Sequence, residues 1–155
     1  MVKPGTDITL VAMSYMTIEA IHAANYLEKK GISCDVIDLR SIKPLDWDLI
    51  MNSVKKTGQL LALDTGFTTG SVAGEIVARV AIDAFEFLKS SPARLAMPDI
   101  PEPTSPALTK NFYVRAADIA IKIMSMMGRD FSGVRDDLPE PIPHDVPGEW
   151  FKGPF

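Results

Sequence analysis

The sequence predicts an α/β chain in which helices cover both faces of a parallel sheet, and three observations lead there. Between Ile8 and Leu88, short β-branched or aliphatic runs alternate with longer stretches of helical period, the pattern of successive βα units. The strand-like runs are apolar almost throughout, as strands covered on both faces must be. At 155 residues and 16.9 kDa the chain has the size of one ordinary domain, which buries roughly 70% of the surface its unfolded form exposes.

The elements follow in order. Ile8 to Met13 reads as the first strand. A helix from about Thr17 presents Ile18, Ile21, Ala24 and Leu27 and closes on Glu28-Lys29-Lys30 and Gly31, lysines suiting the dipole and glycine the left-handed C′ position. Cys34 to Leu39 is the second strand. After Pro44, Asp46 is the N-cap of a second helix whose face carries Trp47, Ile50, Met51 and Val54, and Lys55-Lys56-Thr57-Gly58 repeats the stop signal. Gln59 to Leu63 is the third strand. Ser71 caps a third helix with the stripe Val72, Ile76, Val80, Ala84 and Phe87, Ala93 to Ala96 forms the fourth strand, and a last helix from about Arg115 buries Ile119, Ile123 and Met126 or Met127. Four strands and four helices result, with the four helical stripes supplying the outer layers. The twelve prolines cluster between Pro92 and Pro106 and again after Leu138, which divides the chain into a domain, 1–128, and a proline-rich C-terminal extension, 129–155. The extension is expected to form no regular helix; its aromatic residues Trp150, Phe151 and Phe155 suit anchoring on a neighbouring subunit or domain, and a disordered end is the equal alternative.

Composition excludes several classes. A net charge of −4 argues against a nucleic-acid-binding surface. A single cysteine, Cys34, allows neither an internal disulfide nor a cysteine-rich metal site, so the cytoplasm is the expected setting. No apolar run approaches the roughly 20 residues of a membrane span, and Lys3-Pro4-Gly5-Thr6-Asp7 stands where a signal peptide would need apolar residues.

The chemistry-bearing residues are sparse. His22 and His144 have no Cys, Asp or Glu at metal-ligand spacing, Cys34 sits in an apolar run as a buried inert thiol, and Met124, Met126 and Met127 read as core or interface filling. No catalytic, cofactor-binding or metal-ligating residue is assigned. The segment Leu63 to Ser71 joins a strand to a helix start, where amides and dipole favour an anion. Its glycines, Gly66, Gly70 and Gly74, are spaced by four and match neither G-x-G-x-x-G nor a phosphate loop, so turn and packing roles are the simpler reading. The alternative is an anion or small-molecule site built from Asp64, Gly66, Gly70 and Ser71 with Arg40, since Asp38-Leu39-Arg40-Ser41 and Asp64-Thr65 both emerge at carboxyl ends of strands.

Four blocks carry a family resemblance: Gly5-Thr6-Asp7-Ile8-Thr9-Leu10-Val11; Val36 through Asp46; Gly66 to Gly70 with Ala73-Gly74-Glu75-Ile76; and Pro98-Asp99-Ile100-Pro101-Glu102-Pro103. With them the chain resembles the C-terminal transketolase-like domain. Asp38-Leu39-Arg40 and the Pro98 to Pro103 block, followed by Phe112-Tyr113 and Asp118-Ile119, are similar more narrowly to the beta subunit of thiamine-diphosphate-dependent 2-oxoacid dehydrogenases, the pyruvate, branched-chain and acetoin enzymes. The resemblance implies a three-layer α/β/α domain with a mostly parallel sheet of four to five strands. It implies a parent enzyme using thiamine diphosphate and magnesium, which lie between other domains, and partners in a second beta subunit, an alpha subunit and a dihydrolipoyl acyltransferase. The domain itself is then a non-catalytic assembly element, with Arg40, Asp46, Asp64 and Asp99 as candidate interface residues, and the chain alone, which lacks the Gly-Asp-Gly start of the family's diphosphate motif, is expected neither to bind thiamine diphosphate nor to decarboxylate. The equivalent domain of transketolase or deoxyxylulose-phosphate synthase shares Lys43-Pro44-Leu45-Asp46 and is the alternative within the resemblance.

Three departures accompany the resemblance. The family's antiparallel edge strand is represented only by Met1-Val2-Lys3-Pro4, as in an excised fragment, which is expected to leave one edge of the Cys34 strand open to self-association. Asp64-Thr65 stands where the family often has an acidic pair. The extension continues past the usual family end.

Overall fold

The apolar runs pair side by side as four parallel strands: β1 (Ile8–Met13), β2 (Cys34–Leu39), β3 (Leu60–Phe67) and β4 (Ala93–Met97), in the spatial order β2-β1-β3-β4. The structure, a computed structural model, describes residues 1–110 and 112–140 together with Val146 and Gly148. The connecting helices are α1 (Tyr15–Lys29), α2 (Trp47–Thr57) and α3 (Val72–Asp83); α4 (Pro106–Thr109), α5 (Ala116–Met126) and α6 (Val134–Asp137) follow β4. Ile8 stands opposite Cys34, and Thr9 opposite Leu60.

Alternation along each strand sends successive residues to opposite faces, and both faces are apolar. Ile8, Leu10, Val36, Leu61 and Leu63 face Met16, Ala20, Leu27, Ile119 and Ile123 of α1 and α5. Val11, Ile37, Leu60 and Ala62 face Ile50, Val54, Ile76 and Val80 of α2 and α3. The result is the expected α/β fold with helices on both faces of a parallel sheet. Because the chain leaves β1 toward β2 and then crosses back to β3, the direction of winding reverses between β1 and β3, opening a crevice at their carboxyl ends.

Several local expectations are corrected. On α1 the buried stripe is Met16, Ala20, Ala23, Ala24 and Leu27, with Ile18 and Ile21 only half-buried, because small side chains let the helix approach the sheet closely. The third helix stops at Asp83; a single 3₁₀ turn, Phe85–Phe87, follows and leaves Phe87 partly exposed, while Leu88 packs on the core. β3 runs on to Phe67, beyond Leu63. The extension is not wholly irregular: α6 forms there because Val134 buries in the core beside α5, and Asp137 accepts hydrogen bonds from the Tyr26 hydroxyl at 2.8 Å and Lys30 Nζ at 3.3 Å. The open edge expected at the Cys34 strand is partly covered, since Val2 N donates to Val36 O at 2.9 Å and Val36 N donates to Lys3 O at 2.7 Å. His144, Trp150, Phe151 and Phe155 lie outside the described residues.

A buried polar cluster ties the elements on the α2 side. Asp35, fully buried, accepts hydrogen bonds from Gly5 N at 3.0 Å and from the Ser53 hydroxyl at 2.5 Å, and lies 2.7 Å from Lys56 Nζ. The Thr9 hydroxyl bridges Ser53 at 2.7 Å and Thr57 at 2.8 Å. Gly5 must lack a side chain, since a Cβ there would fall on the Cys34 carbonyl and 2.6 Å from Asp35 N. The Cys34 thiol is buried, and burial pushes it up from its ordinary 9.0 to about 12, which makes it an inert core group as expected.

Candidate functional site

All four strands end on one side of the sheet, and the side chains that follow them meet there. β1 passes into α1 through Ser14 alone, held at φ 51° and ψ −133°. This left-handed turn, uncommon for a residue with a side chain, sets Tyr15 directly at the strand end. β3 delivers Asp64 and Thr65 beside it, and β4 delivers Met97.

Most of the residues singled out in the sequence hold backbone. Asp46 is the N-cap of α2, accepting from Leu49 N at 3.0 Å. Ser71 caps α3, its hydroxyl accepting from Gly74 N at 3.1 Å and donating to Thr68 O at 3.1 Å. Asp64 accepts from Gly66 N at 2.9 Å and from Ala73 N at 3.3 Å. Asp99 accepts from Thr69 N at 2.8 Å and from its hydroxyl at 2.7 Å, and these bonds hold its carboxyl below the usual carboxylate range. Gly70 takes φ 79°, the left-handed turn that lets the β3–α3 loop close under both carboxylates. The Ala73 and Gly74 amides in the first turn of α3 are therefore satisfied, one of them by a carboxylate, and an anion approaching that helix would face the Asp64 charge. Arg40 is largely exposed, 2.5 Å from Asp38, which also accepts from the Thr17 hydroxyl at 2.8 Å. It follows β2, on the far side of β1 from Asp64.

At the switch point the strand ends enclose a cavity of about 370 Å³. Tyr15 and Met16 follow β1, Asp64 and Thr65 come from β3, and Met97 closes β4; Glu102, Tyr113, Val114, Arg115 and Val146 add to the wall. Of the sequence-nominated residues, Asp64 alone lines it. Arg115 is buried and its Nη2 donates to Val146 O at 2.9 Å, while Nη1 donates to the Tyr15 hydroxyl and lies 3.8 Å from Glu19 Oε1. Glu19 is buried as well, and its other oxygen accepts from Ala116 N at 2.7 Å, fixing the start of α5 against α1. Burial foremost, and then Glu19, pushes the Tyr15 hydroxyl well above its ordinary value, so it stays protonated. The Tyr113 hydroxyl donates to Glu102 at 2.6 Å.

Sequence reasoning passed over Tyr15, Glu19 and Arg115. The available signal was Glu19 itself, a carboxylate on the helix face shared by Met16, Ala20 and Ala23, which a folded chain buries only with a partner. Among the described residues no three His, Cys, Asp or Glu side chains converge to hold a metal ion, and no helix is long and apolar enough to cross a membrane.

Over residues 1–119 the chain matches the family described as transketolase, C-terminal domain. It is 42% identical over 117 residues to the mitochondrial pyruvate dehydrogenase E1 component subunit beta-1 of Oryza sativa subsp. japonica, covering 76% of this chain and 31% of that protein. It is 37% identical over 119 residues to the acetoin:2,6-dichlorophenolindophenol oxidoreductase subunit beta of Cupriavidus necator, covering 77% of this chain and 35% of that one. Among solved structures, a split-gene transketolase, described as an inactive beta4 tetramer, superposes with a TM-score of 0.70 at 26% identity, over 81% of this chain and 41% of the other. The chain thus spans about a third of the length of the curated relatives it matches.

Proposed function

We propose, from the premise that this chain belongs to the transketolase C-terminal domain family, that it is the non-catalytic assembly domain of the beta subunit of a 2-oxoacid dehydrogenase. In this reading residues 1–128 associate with a second beta subunit and an alpha subunit and help dock a dihydrolipoyl acyltransferase, in the cytoplasm, and residues 129–155 are an added extension. The observation that carries it is the use of the polar groups at the strand ends. Asp46, Asp64, Ser71 and Asp99 are each spent on backbone amides, which leaves little for covalent chemistry and makes this end of the sheet a shaped, rigid surface. Large apolar side chains meanwhile stand in solvent, Ile82 at 77% and Phe85 at 75% of full exposure, as surfaces awaiting a partner do. Arg40, exposed past Asp38 at the end of β2, is the charged interface candidate, and Asp46, Asp64, Gly66, Gly70, Ser71 and Asp99 are the further candidates along the same end of the sheet.

The parent enzyme's thiamine diphosphate and magnesium do not suit this domain. The α3 amides that would meet a diphosphate already serve Asp64 and Ser71, so the cofactor belongs to other parts of the enzyme. The test is sedimentation equilibrium of the chain, alone and with a peripheral-subunit-binding domain of a dihydrolipoyl acyltransferase, at physiological salt. Self-association and saturable binding of that domain, weakened by Arg40→Ala, are expected; a monomer that ignores it overturns the reading.

A further inference from the structure

The cavity at the switch point has a charge balance that the assembly reading does not use. Among the described residues its one cation, Arg115, is already matched by buried Glu19, 3.8 Å away, and its Nη groups donate to Tyr15 and Val146. Two further carboxylates line the cavity. Asp64 accepts only backbone amides, Glu102 accepts the Tyr113 hydroxyl, and among the described residues no Lys, Arg or His pairs with either. An anion entering here would meet the charges of Asp64 and Glu102 and find both Nη atoms of the guanidinium engaged.

Among the described residues the rest of the wall is mostly apolar and aromatic, Met16, Met97, Val114 and Val146 with the rings of Tyr15 and Tyr113, and Thr65 adds one hydroxyl. Aromatic faces and carboxylates together attract organic cations, and the chain shows this at the wall itself, where the Arg115 guanidinium carbon lies 5.5 Å from the centre of the Tyr15 ring. The volume, about 370 Å³, falls in the range of small-molecule sites, and the place, between strands whose connections diverge, is where sheets of this topology hold ligands.

We infer that this cavity binds a small organic ammonium ion with an apolar body, its cationic head between Asp64 and Glu102 and its body against Met16, Met97 and Val114. The site goes beyond the assembly role and shares only Asp64 with the surface proposed for it.

The experiment titrates phenethylammonium chloride into the full chain and follows the methionine methyl resonances by NMR, with 2-phenylethanol and phenylacetate as neutral and anionic counterparts. Saturable shifts confined to Met16 and Met97 are expected, with the ammonium bound about tenfold more tightly than the alcohol and the carboxylate not bound. Glu102→Gln, at an exposed position whose loss leaves the fold intact, should weaken the ammonium about fivefold and leave the alcohol unchanged. Absence of saturable shifts at millimolar probe, equal binding of ammonium and alcohol, or indifference to Glu102→Gln each overturn the inference.

Discussion

Among the described residues three carboxylates are buried, Asp35, Glu19 and Asp64, and the two buried most deeply are used differently. Asp35, in β2, is surrounded by donors from the Gly5 turn, from α2 and, through Ser53, from β1. Its bonds tie the Gly5 turn, β2 and α2 together on the sheet's α2 side. Glu19, in α1, faces the opposite layer, where it holds the first amide of α5 and stands behind Arg115 and Tyr15 at the edge of the switch-point cavity. The same chemical group thus locks the frame in one place and wires a cavity wall in the other. Burial of a charge costs free energy in either case, and the number of donors around Asp35 shows where the fold itself depends on the compensation.

Asp35→Asn should have the largest effect. It removes the charge facing Lys56 and turns an acceptor of Gly5 N or Ser53 into a donor, for a loss of about 3 kcal/mol in urea unfolding. Glu19→Gln keeps an acceptor for Ala116 N but leaves Arg115 unmatched beside a cavity that admits water, so a smaller loss of about 1.5 kcal/mol is expected; equal losses would erase the distinction. Ser71→Ala removes the α3 cap, away from both carboxylates, for about 1 kcal/mol by the same measurement. Cys34, next to Asp35, acts on stability only at alkaline pH. Its unfolded thiol releases a proton above pH 9.0 while the folded one keeps it to about 12, so the native state binds more protons in that window and stability falls as pH rises through it. Cys34→Ser should flatten that fall in stability measured between pH 8 and 11.

The frame was legible because it is written in periodicity. Strand runs such as Ile8 to Met13 and Cys34 to Leu39 stand at their expected bounds, and Gly58 and Ser71 terminate and cap the helices they punctuate. The assignment of Asp46 and Ser71 as caps is local chemistry, readable within a few residues. The cavity was not legible. Tyr15, Glu19, Glu102 and Arg115 are brought together by sheet order and by the return of α5 onto α1, contacts spanning as many as 100 positions between Tyr15 and Arg115, and no short pattern encodes them. Periodicity also misplaced the α1 stripe, since it weighs Ile18 and Ile21 above the alanines that close packing selects. α6 escaped notice because it is a single turn held by Val134 burying at a distance, not by propensity.

The division of labour between the two carboxylates is tested most directly by native-state amide hydrogen exchange of the full chain in Asp35→Asn and Glu19→Gln. The account predicts faster exchange across all four strands in Asp35→Asn, and in Glu19→Gln acceleration confined to the start of α5 and the turn at Tyr15. Uniform acceleration in both variants, or a global effect from Glu19→Gln alone, would contradict it.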